Sequence, residues 1–227
     1  IQPTSRRNEV LGFLEKPLGD LCISRPKERL PWGIPLPFDE GYVTYVWFDA
    51  LINYISAHGP LEKIGSTGFW PVNHHLLGKD ILTTHAVYWL TILKAIGLDP
   101  PLNLFAHGWW TINGQKMSKS VGNTVEPNIL VDQFGVDAIR YFLLREVPFG
   151  LDGDFSHKAL IGRINSDLAN NLGNLLNRTM SMIKRYHDQI IPEPNSRAED
   201  ADLKNEFKLG IETVQKLYGD LAYHKIL

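Results

Sequence analysis

The chain has 227 residues, a formal net charge of −2 and 44% hydrophobic residues. This apolar content is sufficient for the core of one or two domains. The near-neutral charge does not indicate a polybasic surface, so any contact with nucleic acid is expected to be local. The single cysteine, Cys22, excludes an internal disulfide framework and a cysteine cluster for structural zinc, and it favours a cytoplasmic protein. No apolar run approaches the roughly 18 residues of a membrane span.

The first predicted elements are a short helix, a strand and a second helix. Residues 6–14 predict the first helix, and several prolines interrupt the segment that follows. Residues 42–48 are rich in β-branched and aromatic side chains and predict a strand, with Trp47 near its carboxyl end. Asp49 then predicts the N-cap of a helix over 50–57. Ligands bind at the carboxyl ends of strands in open α/β sheets, although an aromatic strand end that only packs in a core is common.

A second strand-to-helix junction follows a predicted loop at 61–73. The strand is expected to end near Gly78, and an apolar-periodic helix over 81–96 should stop at Gly97. The apolar run 102–106 predicts a further buried strand. A lone histidine on an apolar helix face is typically a hydrogen-bonded core residue. One face of the predicted helix carries three residues that are four apart, namely Ile81, His85 and Trp89.

The segment at 107–123 reads HGWWTINGQKMSKSVGN and contains two lysines, two serines, three glycines and no acid. Lys116 and Lys119 can place ammonium groups on phosphate oxygens, and hydroxyl and backbone N–H groups can donate further hydrogen bonds. Gly114 and Gly122 permit positive φ at turns. These features predict an anion-binding loop. The simpler alternative is a basic surface hairpin, because charged runs are usually solvated.

The remaining elements are predicted to be helical. Residues 126–134 and 136–146 predict two helices, and a glycine-containing break places a domain boundary near residue 150, between domains at 1–150 and 151–227. The buried side of the second helix is expected to include Ala138, Tyr141, Phe142 and Leu143.

The last third of the chain is predicted to contain two long helices. Residues 156–187 predict the first, and 200–223 predict an antiparallel partner. An apolar stripe on the first helix is expected to face the core of a bundle. The stripe consists of Leu160, Ile164, Leu168, Leu172, Leu175, Thr179 and Ile183.

The five residues at 116–120, Lys-Met-Ser-Lys-Ser, match the signature of class I aminoacyl-tRNA synthetases, and the chain from about 8 to 227 resembles the bacterial-type methionyl-tRNA synthetase family. The resemblance implies an α/β fold, the C-terminal half of a Rossmann-like catalytic domain, followed by an incomplete all-α anticodon-binding bundle. The family's His-Ile-Gly-His tetrapeptide does not occur. We therefore expect these residues to be a piece of a longer protein and to be inactive alone.

The resemblance also implies the roles of particular residues. Lys116 and Lys119 would be catalytic. The implied ATP site consists of Gly78, Asp80, His107 and Gly108 together with these two lysines. The implied methionine site consists of Trp47, Ala50, Leu51, Tyr54, Ile81, His85 and Trp89, although enteric-type members have proline at the position of Leu51. Three further implied residues are Arg25 beside the active site and Asn174 and Arg178 at the anticodon.

Physical chemistry supports several of these implied roles. A thioether suits an aromatic, polarizable pocket, because each sulfur–aromatic contact adds about 0.3–1.5 kcal/mol. A carboxylate such as Asp80 can accept from ribose hydroxyls. An amide and a guanidinium four residues apart, as at 174 and 178, can bind splayed bases. The alternatives are a surface arginine at position 25 and a solvated helix face at 174–178.

The implied function is ATP-dependent activation of L-methionine to methionyl-adenylate and its transfer to tRNA(Met), with Mg²⁺ accompanying ATP and no zinc site within these residues. Another class I synthetase, for isoleucine, leucine, valine or cysteine, is an alternative. A non-catalytic tRNA-binding relative is a second alternative, although binding alone would not require both the lysines and the aromatic residues.

Overall fold

The computed structural model describes residues 1–66, 68–118, 120, 122–193, 197 and 200–227. The chain divides into two compact units, Ile1–His107 and Gly108–Leu227. The predicted boundary near residue 150 separates a catalytic part from an anticodon-binding part. This functional division stays a prediction.

The first unit begins with helix α1 (Thr4–Leu14), which confirms the first predicted helix. A three-stranded antiparallel sheet follows, in the order β1-β3-β2. Its strands are β1 (Ser24–Pro26), β2 (Pro35–Leu36) and β3 (Asp39–Thr44). The central strand buries Val43 completely. This residue anchors the small sheet.

The predicted strand at 42–48 is wrong beyond Thr44, because helix α2 (Val46–Ser56) begins four residues before the predicted helix at 50–57. Trp47 therefore lies on a helix and not at a strand end, and Asp49 lies in the first turn while Tyr45 is the N-cap. Strand propensity describes how well a side chain fits a half-buried pleated surface, and tertiary packing overrides it here.

Two parallel strands form the second sheet of this unit. Strand β4 (His74–Gly78) pairs with β5 (Asn103–His107), which confirms both predicted strands. The connection between them confirms the predicted helical segment. It consists of a 3₁₀ turn, a π-helical segment and helix α3, at Lys79–Ile81, Thr84–Trp89 and Leu90–Ala95. The predicted loop at 61–73 contains a short 3₁₀ helix (Leu61–Ser66).

Two clusters of buried residues form the core of the first unit. One lies around β4, β5 and α1, and the other lies between α2 and the helical connection. The first contains Val10, Leu77, Leu82, Ala86, Leu104 and Ala106. The second contains Leu51, Ile55, Ile64, Trp70, Trp89 and Leu93. The two cores hold the helical connection firmly over the strands.

The second unit begins with a β-hairpin. Strand β6 (Trp110–Ile112) pairs with β7 (Gln115–Lys116) in antiparallel fashion and with β8 (Gly153–Asp154) in parallel fashion. Asn113 and Gly114 form the turn with φ of +52° and +73°. This confirms that Gly114 adopts the positive φ expected from its sequence context.

Helices α4 (Pro127–Phe134) and α5 (Val136–Arg145) confirm the next two predictions. The predicted buried side of α5 is only partly correct. Phe142 is 1% exposed, but Leu143 is 44% exposed and the second buried residue of α5 is Ile139. The buried residues lie three apart on one face, and Leu143 lies beside that face and outside the core.

The predicted helix at 156–187 is confirmed as three consecutive helical segments, but its predicted apolar stripe is not buried throughout. Leu160 is fully buried, whereas Leu172 and Leu175 are 62% and 64% exposed. The segments are α6 (His157–Arg163), a π-helical segment (Ile164–Gly173) and α7 (Asn174–Tyr186). Leu172 lies in the π-helical segment and Leu175 in α7, and neither of these two segments contains a buried residue.

The chain ends with helices α8 (Asp200–Gly219) and α9 (Tyr223–Ile226). The predicted single helix at 200–223 is therefore interrupted, at Leu221, whose φ is +55°. A non-glycine residue in this region of φ does not continue a right-handed helix. The antiparallel packing expected for this segment stays a prediction.

Candidate active site

A group of two histidines and two aromatic residues, here called the histidine–aromatic cluster, lies between α2, β4 and the π-helical segment. It consists of Tyr54, His75, His85 and Trp89. Trp89 is 0% exposed, His85 2% and His75 6%, whereas Tyr54 is 39% exposed. The cluster therefore has a buried floor and one partly open side.

Hydrogen bonds determine the tautomer of His85. Its Nδ1 lies 2.9 Å from the carbonyl oxygen of Ile81, which can only accept, so Nδ1 carries the hydrogen. In the neutral ring Nε2 is then an acceptor, and the hydroxyl of Tyr54 donates to it over 3.0 Å. Both ring nitrogens of His85 are satisfied by two different helices.

His75 is held by a different donor. The indole nitrogen of Trp89 can only donate, and it donates to Nε2 of His75 over 3.1 Å. The ring centroid of His75 also lies 4.4 Å from that of Tyr54. His75 is not among the site residues predicted from the sequence. The sequence feature that could have identified it is its position two residues before Leu77 in β4, because residues two apart in a strand face the same side and both are buried here.

Burial keeps both histidines neutral. Removal from water lowers the pKa of His75 to about 4, with a smaller contribution from His85. Burial also lowers the pKa of His85, against the opposing effect of its bond to the Ile81 carbonyl. Burial raises the pKa of the Tyr54 hydroxyl. At neutral pH the cluster carries no charge, which suits an apolar ligand.

The structure brings several predicted methionine-site residues together. Trp47, Ala50, Leu51 and Tyr54 share one face of α2, because they lie three and four residues apart. The ring of Trp47 lies 6.2 Å from that of His85, and Leu51 packs in the same core as Trp89.

Two of the predicted methionine-site residues, Ala50 and Ile81, do not place their side chains among the rings of the cluster. Ala50 is exposed on the surface of α2. Ile81 packs its side chain against the other core of the unit, and only its carbonyl reaches His85. The rings of Trp47, Tyr54, His85 and Trp89 therefore define the site more directly than these two aliphatic side chains do.

Three of the predicted ATP-site residues meet at the carboxyl edge of the parallel strands. Gly78 lies directly opposite His107 in the β4–β5 register. A Cβ atom at Gly78 would lie 2.6 Å from Oδ1 of Asp80 and 4.0 Å from Cε1 of His107. A carboxylate and an imidazole thus flank a partly buried backbone position at the edge where ligands bind in open α/β sheets.

Gly108 has a packing role within the second unit. A Cβ atom at this position would collide with the backbone of Leu151 and Asp152. Glycine is required there for close approach of two backbone segments, whatever role Gly108 has toward a nucleotide.

In the predicted phosphate loop, Lys116 lies over the ring of Trp109, with Nζ 3.9 Å from the ring centroid. Asn123 ties the loop together, since its Oδ1 accepts from the Ser118 N–H over 2.8 Å and its Nδ2 donates to the Lys116 carbonyl over 3.2 Å. Gly122 has φ of +71°, as expected. Lys119 lies outside the described residues, so its role stays a prediction.

Two carboxylates that were not predicted from the sequence brace this hairpin. Asp152 accepts from the Trp109 N–H over 2.8 Å. Asp154 accepts from the Thr111 hydroxyl over 2.6 Å and from the Gly114 N–H over 2.9 Å, and these bonds hold the pKa of Asp154 below its usual value. The segment has no acid of its own, but the fold supplies two from β8 and the residues before it.

The remaining predicted site residues lie on the surface or near it. Arg25 is partly buried, with its guanidinium 4.0 Å from the Tyr45 ring centroid and Nη1 donating to the Ser24 carbonyl over 2.7 Å. Asn174 and Arg178 are exposed and lie one turn apart on α7. The roles predicted for Arg25, Asn174 and Arg178 therefore stay predictions.

Within the described ranges of the chain, no group of three or more His, Cys, Asp or Glu side chains is placed to hold a metal ion. A search of the same ranges for a helix both long and apolar enough to span a membrane finds none.

Comparison with known proteins identifies the class. A family model described as "tRNA synthetases class I (M)" matches residues 2–180. The chain therefore belongs to this family of class I tRNA synthetases.

Several similar proteins are methionine–tRNA ligases. The methionine–tRNA ligase of Caldanaerobacter subterraneus subsp. tengcongensis is 55% identical over 210 residues, which cover 90% of this chain and 32% of the relative. That of Clostridium tetani is 49% identical and covers 100% of this chain and 35% of the relative. The crystal structure of Mycobacterium tuberculosis methionyl-tRNA synthetase bound by methionyl-adenylate is 43% identical, with a TM-score of 0.88 over 99% of this chain and 44% of that one.

These matches confirm the resemblance to the methionyl-tRNA synthetase family and the α/β class of the catalytic fold. The chain spans about a third of the length of the two curated relatives and less than half of the structural one. The assignment of the helical part to anticodon binding stays a prediction.

Proposed function

We propose that the whole protein to which these residues belong activates L-methionine with ATP to give methionyl-adenylate, and then transfers the methionyl group to tRNA(Met). The observation that carries this proposal is the uncharged histidine–aromatic cluster in a chain of this family. The relatives named above are methionine–tRNA ligases, which supports the same reaction.

The cluster would hold the methionine side chain. A thioether is apolar and polarizable, and the partly exposed rings of Trp47 and Tyr54 offer it aromatic contacts above the buried Trp89. Because His85 and His75 are neutral, the site offers no counter-charge to a charged side chain. The Tyr54 hydroxyl is already committed to His85, which fixes the ring that faces the open side of the cluster.

ATP would bind at the carboxyl edge of β4 and β5. The carboxylate of Asp80 would accept from the ribose hydroxyls beside Gly78, and His107 with Gly108 would flank the adenine. Mg²⁺ would accompany ATP and would be held mainly by its phosphates. When bound there, Mg²⁺ neutralises charge on the phosphate oxygens.

The first chemical step is an in-line attack of the methionine carboxylate on the α-phosphorus of ATP, with release of pyrophosphate. Catalysis then depends on positioning and on stabilising the negative charge that develops on the leaving group. Lys116 and Lys119 would supply positive charge to it. Lys116 can exchange its contact with Trp109 for phosphate easily, because an exposed cation–π contact contributes only about 0.5–1 kcal/mol.

Transfer to tRNA would use the helical part of the chain. Asn174 and Arg178 are exposed and share one face of α7, so their amide and guanidinium groups can reach unstacked anticodon bases. In this proposal residues 1–150 serve the catalytic domain, residues 151–227 begin the anticodon-binding domain, and the protein acts in the cytoplasm, where tRNA is charged.

The proposal is tested by amino-acid-dependent exchange of pyrophosphate into ATP by the whole protein, with methionine, isoleucine, leucine, valine and cysteine compared. We expect exchange with methionine alone. Exchange with one of the other four would instead favour another class I synthetase. Exchange with none of them would contradict an enzymatic role and would favour a non-catalytic tRNA-binding relative.

A further inference from the structure

We infer that His75 is a positioning residue of the methionine site, which fixes the Trp89 and Tyr54 rings through a hydrogen bond to one and a ring contact with the other. The inference rests on the proposed function, because it assigns these rings to methionine. It adds a residue that contacts the walls of the site and not the substrate.

The hydrogen bond between Trp89 and His75 joins two secondary-structure elements. His75 belongs to β4, and Trp89 ends the π-helical segment that crosses over this strand. Both side chains are buried, at 6% and 0% exposure, and the indole N–H points at Nε2 over 3.1 Å. An indole ring has two flat faces and one polar atom, so this single bond sets the rotation of the ring.

The same histidine supports the opposite wall. Its ring centroid lies 4.4 Å from that of Tyr54, at an angle of 40° between the planes. Tyr54 in turn donates to His85. His75 therefore contacts both rings, and a change in its shape or its acceptor should move the partly exposed Tyr54 ring and the buried Trp89 ring that forms the floor of the site.

The alternative is that His75 only fills space in the core. The two roles differ in one requirement, which is an acceptor atom at the position of Nε2. A space-filling role is satisfied by any residue of similar volume, whereas a positioning role needs that acceptor because the buried indole N–H of Trp89 is otherwise left without a partner. Glutamine places a carbonyl oxygen close to the position of Nε2, whereas asparagine is too short and leucine has no acceptor.

The experiment compares the whole protein with His75→Gln, His75→Asn and His75→Leu variants in methionine-dependent pyrophosphate exchange. We expect Asn and Leu to raise the KM for methionine about tenfold, because a buried donor loses its partner. The KM for ATP and the kcat at saturating methionine should stay within about threefold. His75→Gln should restore the KM for methionine to within about threefold of the original value.

The adjacent residue offers a matched control. His74 lies in the same strand but is exposed, so His74→Gln and His74→Leu should leave all three constants unchanged. The indole N–H of Trp89 provides a readout that does not depend on activity. Its hydrogen exchange, followed by NMR, should be slow in the original protein and in His75→Gln, and faster in His75→Asn.

The outcomes separate the inference from the function on which it rests. An unsubstituted protein without methionine-dependent exchange contradicts the proposed function and the inference with it. An active protein in which His75→Asn keeps the original KM for methionine contradicts only the inference. The same holds if His75→Gln and His75→Asn raise this KM equally, because the acceptor would then have no special role. If His75→Leu fails to fold, the comparison of Gln with Asn still decides.

Discussion

The histidine–aromatic cluster of the first unit and the lysine-bearing hairpin of the second are built in opposite ways. The cluster is held by two hydrogen bonds between side chains, Tyr54 to His85 and Trp89 to His75, and by the bond of His85 to the backbone carbonyl of Ile81. The hairpin is held by a two-residue turn, by Asn123 and by exposed carboxylates, and its lysine lies on an aromatic ring at the surface.

This difference suits two different tasks. A buried, hydrogen-bonded group of rings is rigid and presents one fixed shape, as discrimination among amino-acid side chains requires. An exposed hairpin that is held by a turn and by surface hydrogen bonds can present its lysine to a phosphate chain. We therefore expect substitutions in the cluster to change the affinity for methionine, and substitutions in the hairpin to change the rate of activation.

The largest effect is expected for Lys119→Ala. Loss of one donor that stabilises charge on the leaving pyrophosphate should lower the activation rate about 10²-fold, while the affinity for methionine stays nearly intact. Single-turnover formation of the adenylate measures this rate. Lys94→Ala, at an exposed position on α3, is the control for loss of a lysine elsewhere. An unchanged rate in Lys119→Ala would remove Lys119 from the mechanism.

A second effect concerns stability and pH. The pKa of His75 is about 4 in the folded protein, compared with a usual value of 6.5. Between these values the unfolded chain binds more protons than the folded one, so the free energy of unfolding rises with pH. The stabilisation is complete above pH 6.5 and is lost as the pH falls toward 4. From pH 7.5 to pH 5 the loss from this residue should be about 2 kcal/mol.

Urea unfolding of the original protein and of His75→Gln, each at pH 7.5 and pH 5, measures this loss. The variant has no group that titrates at this position, so it should lose less stability than the original protein over the same interval. His74→Gln is again the control, since His74 is exposed. Equal losses in the original protein and in His75→Gln would mean that His75 is not kept neutral by the fold.

A smaller effect is expected for Tyr54→Phe, which sharpens the role of the cluster. The substitution keeps the ring but removes the hydroxyl that donates to Nε2 of His85, so a buried acceptor is left unsatisfied. The KM for methionine should rise about tenfold, with little change in kcat. Steady-state exchange kinetics measure both. Tyr186→Phe, at an exposed site on α7, should change neither, and an unchanged KM in Tyr54→Phe would contradict the assignment of Tyr54.

The smallest effect is expected for Asp154→Ala. This substitution removes the acceptor for the Thr111 hydroxyl and the Gly114 N–H, so the hairpin that carries Lys116 should be less well ordered. The activation rate should fall about fivefold, as for loss of an ordinary hydrogen bond, and the KM for methionine should not change. Asp132→Ala on α4 is an exposed control. A raised KM for methionine would contradict the separation of the two tasks.

The comparison between cluster and hairpin also indicates what a sequence can predict. The strands β4 and β5, the connection between them and the turn at Gly114 were all predicted, because each depends on local signals: apolar runs, a helix-ending glycine and a positive φ. The start of α2 was not, because Val46, Trp47 and Phe48 favour a strand locally and only packing places them on a helix.

The site residues that sequence reasoning missed are those whose partners are distant along the chain. His75 bonds to a tryptophan 14 residues away, and Asp154 bonds to the turn at Gly114, 40 residues away. A short sequence motif cannot indicate either of these long-range hydrogen bonds. The family resemblance supplied the residues expected to contact ligands, whereas the residues that hold them in place became visible only in the fold.

The most direct test of the account measures equilibrium binding of methionine and single-turnover formation of the adenylate in the same two variants, Tyr54→Phe and Lys119→Ala, of the whole protein. We predict that Tyr54→Phe weakens methionine binding about tenfold and leaves the rate of adenylate formation at saturating methionine within about threefold. We predict that Lys119→Ala leaves methionine binding unchanged and lowers this rate about 10²-fold. If both variants changed the same quantity, the division between a pocket that binds methionine and a loop that stabilises the leaving group would be wrong.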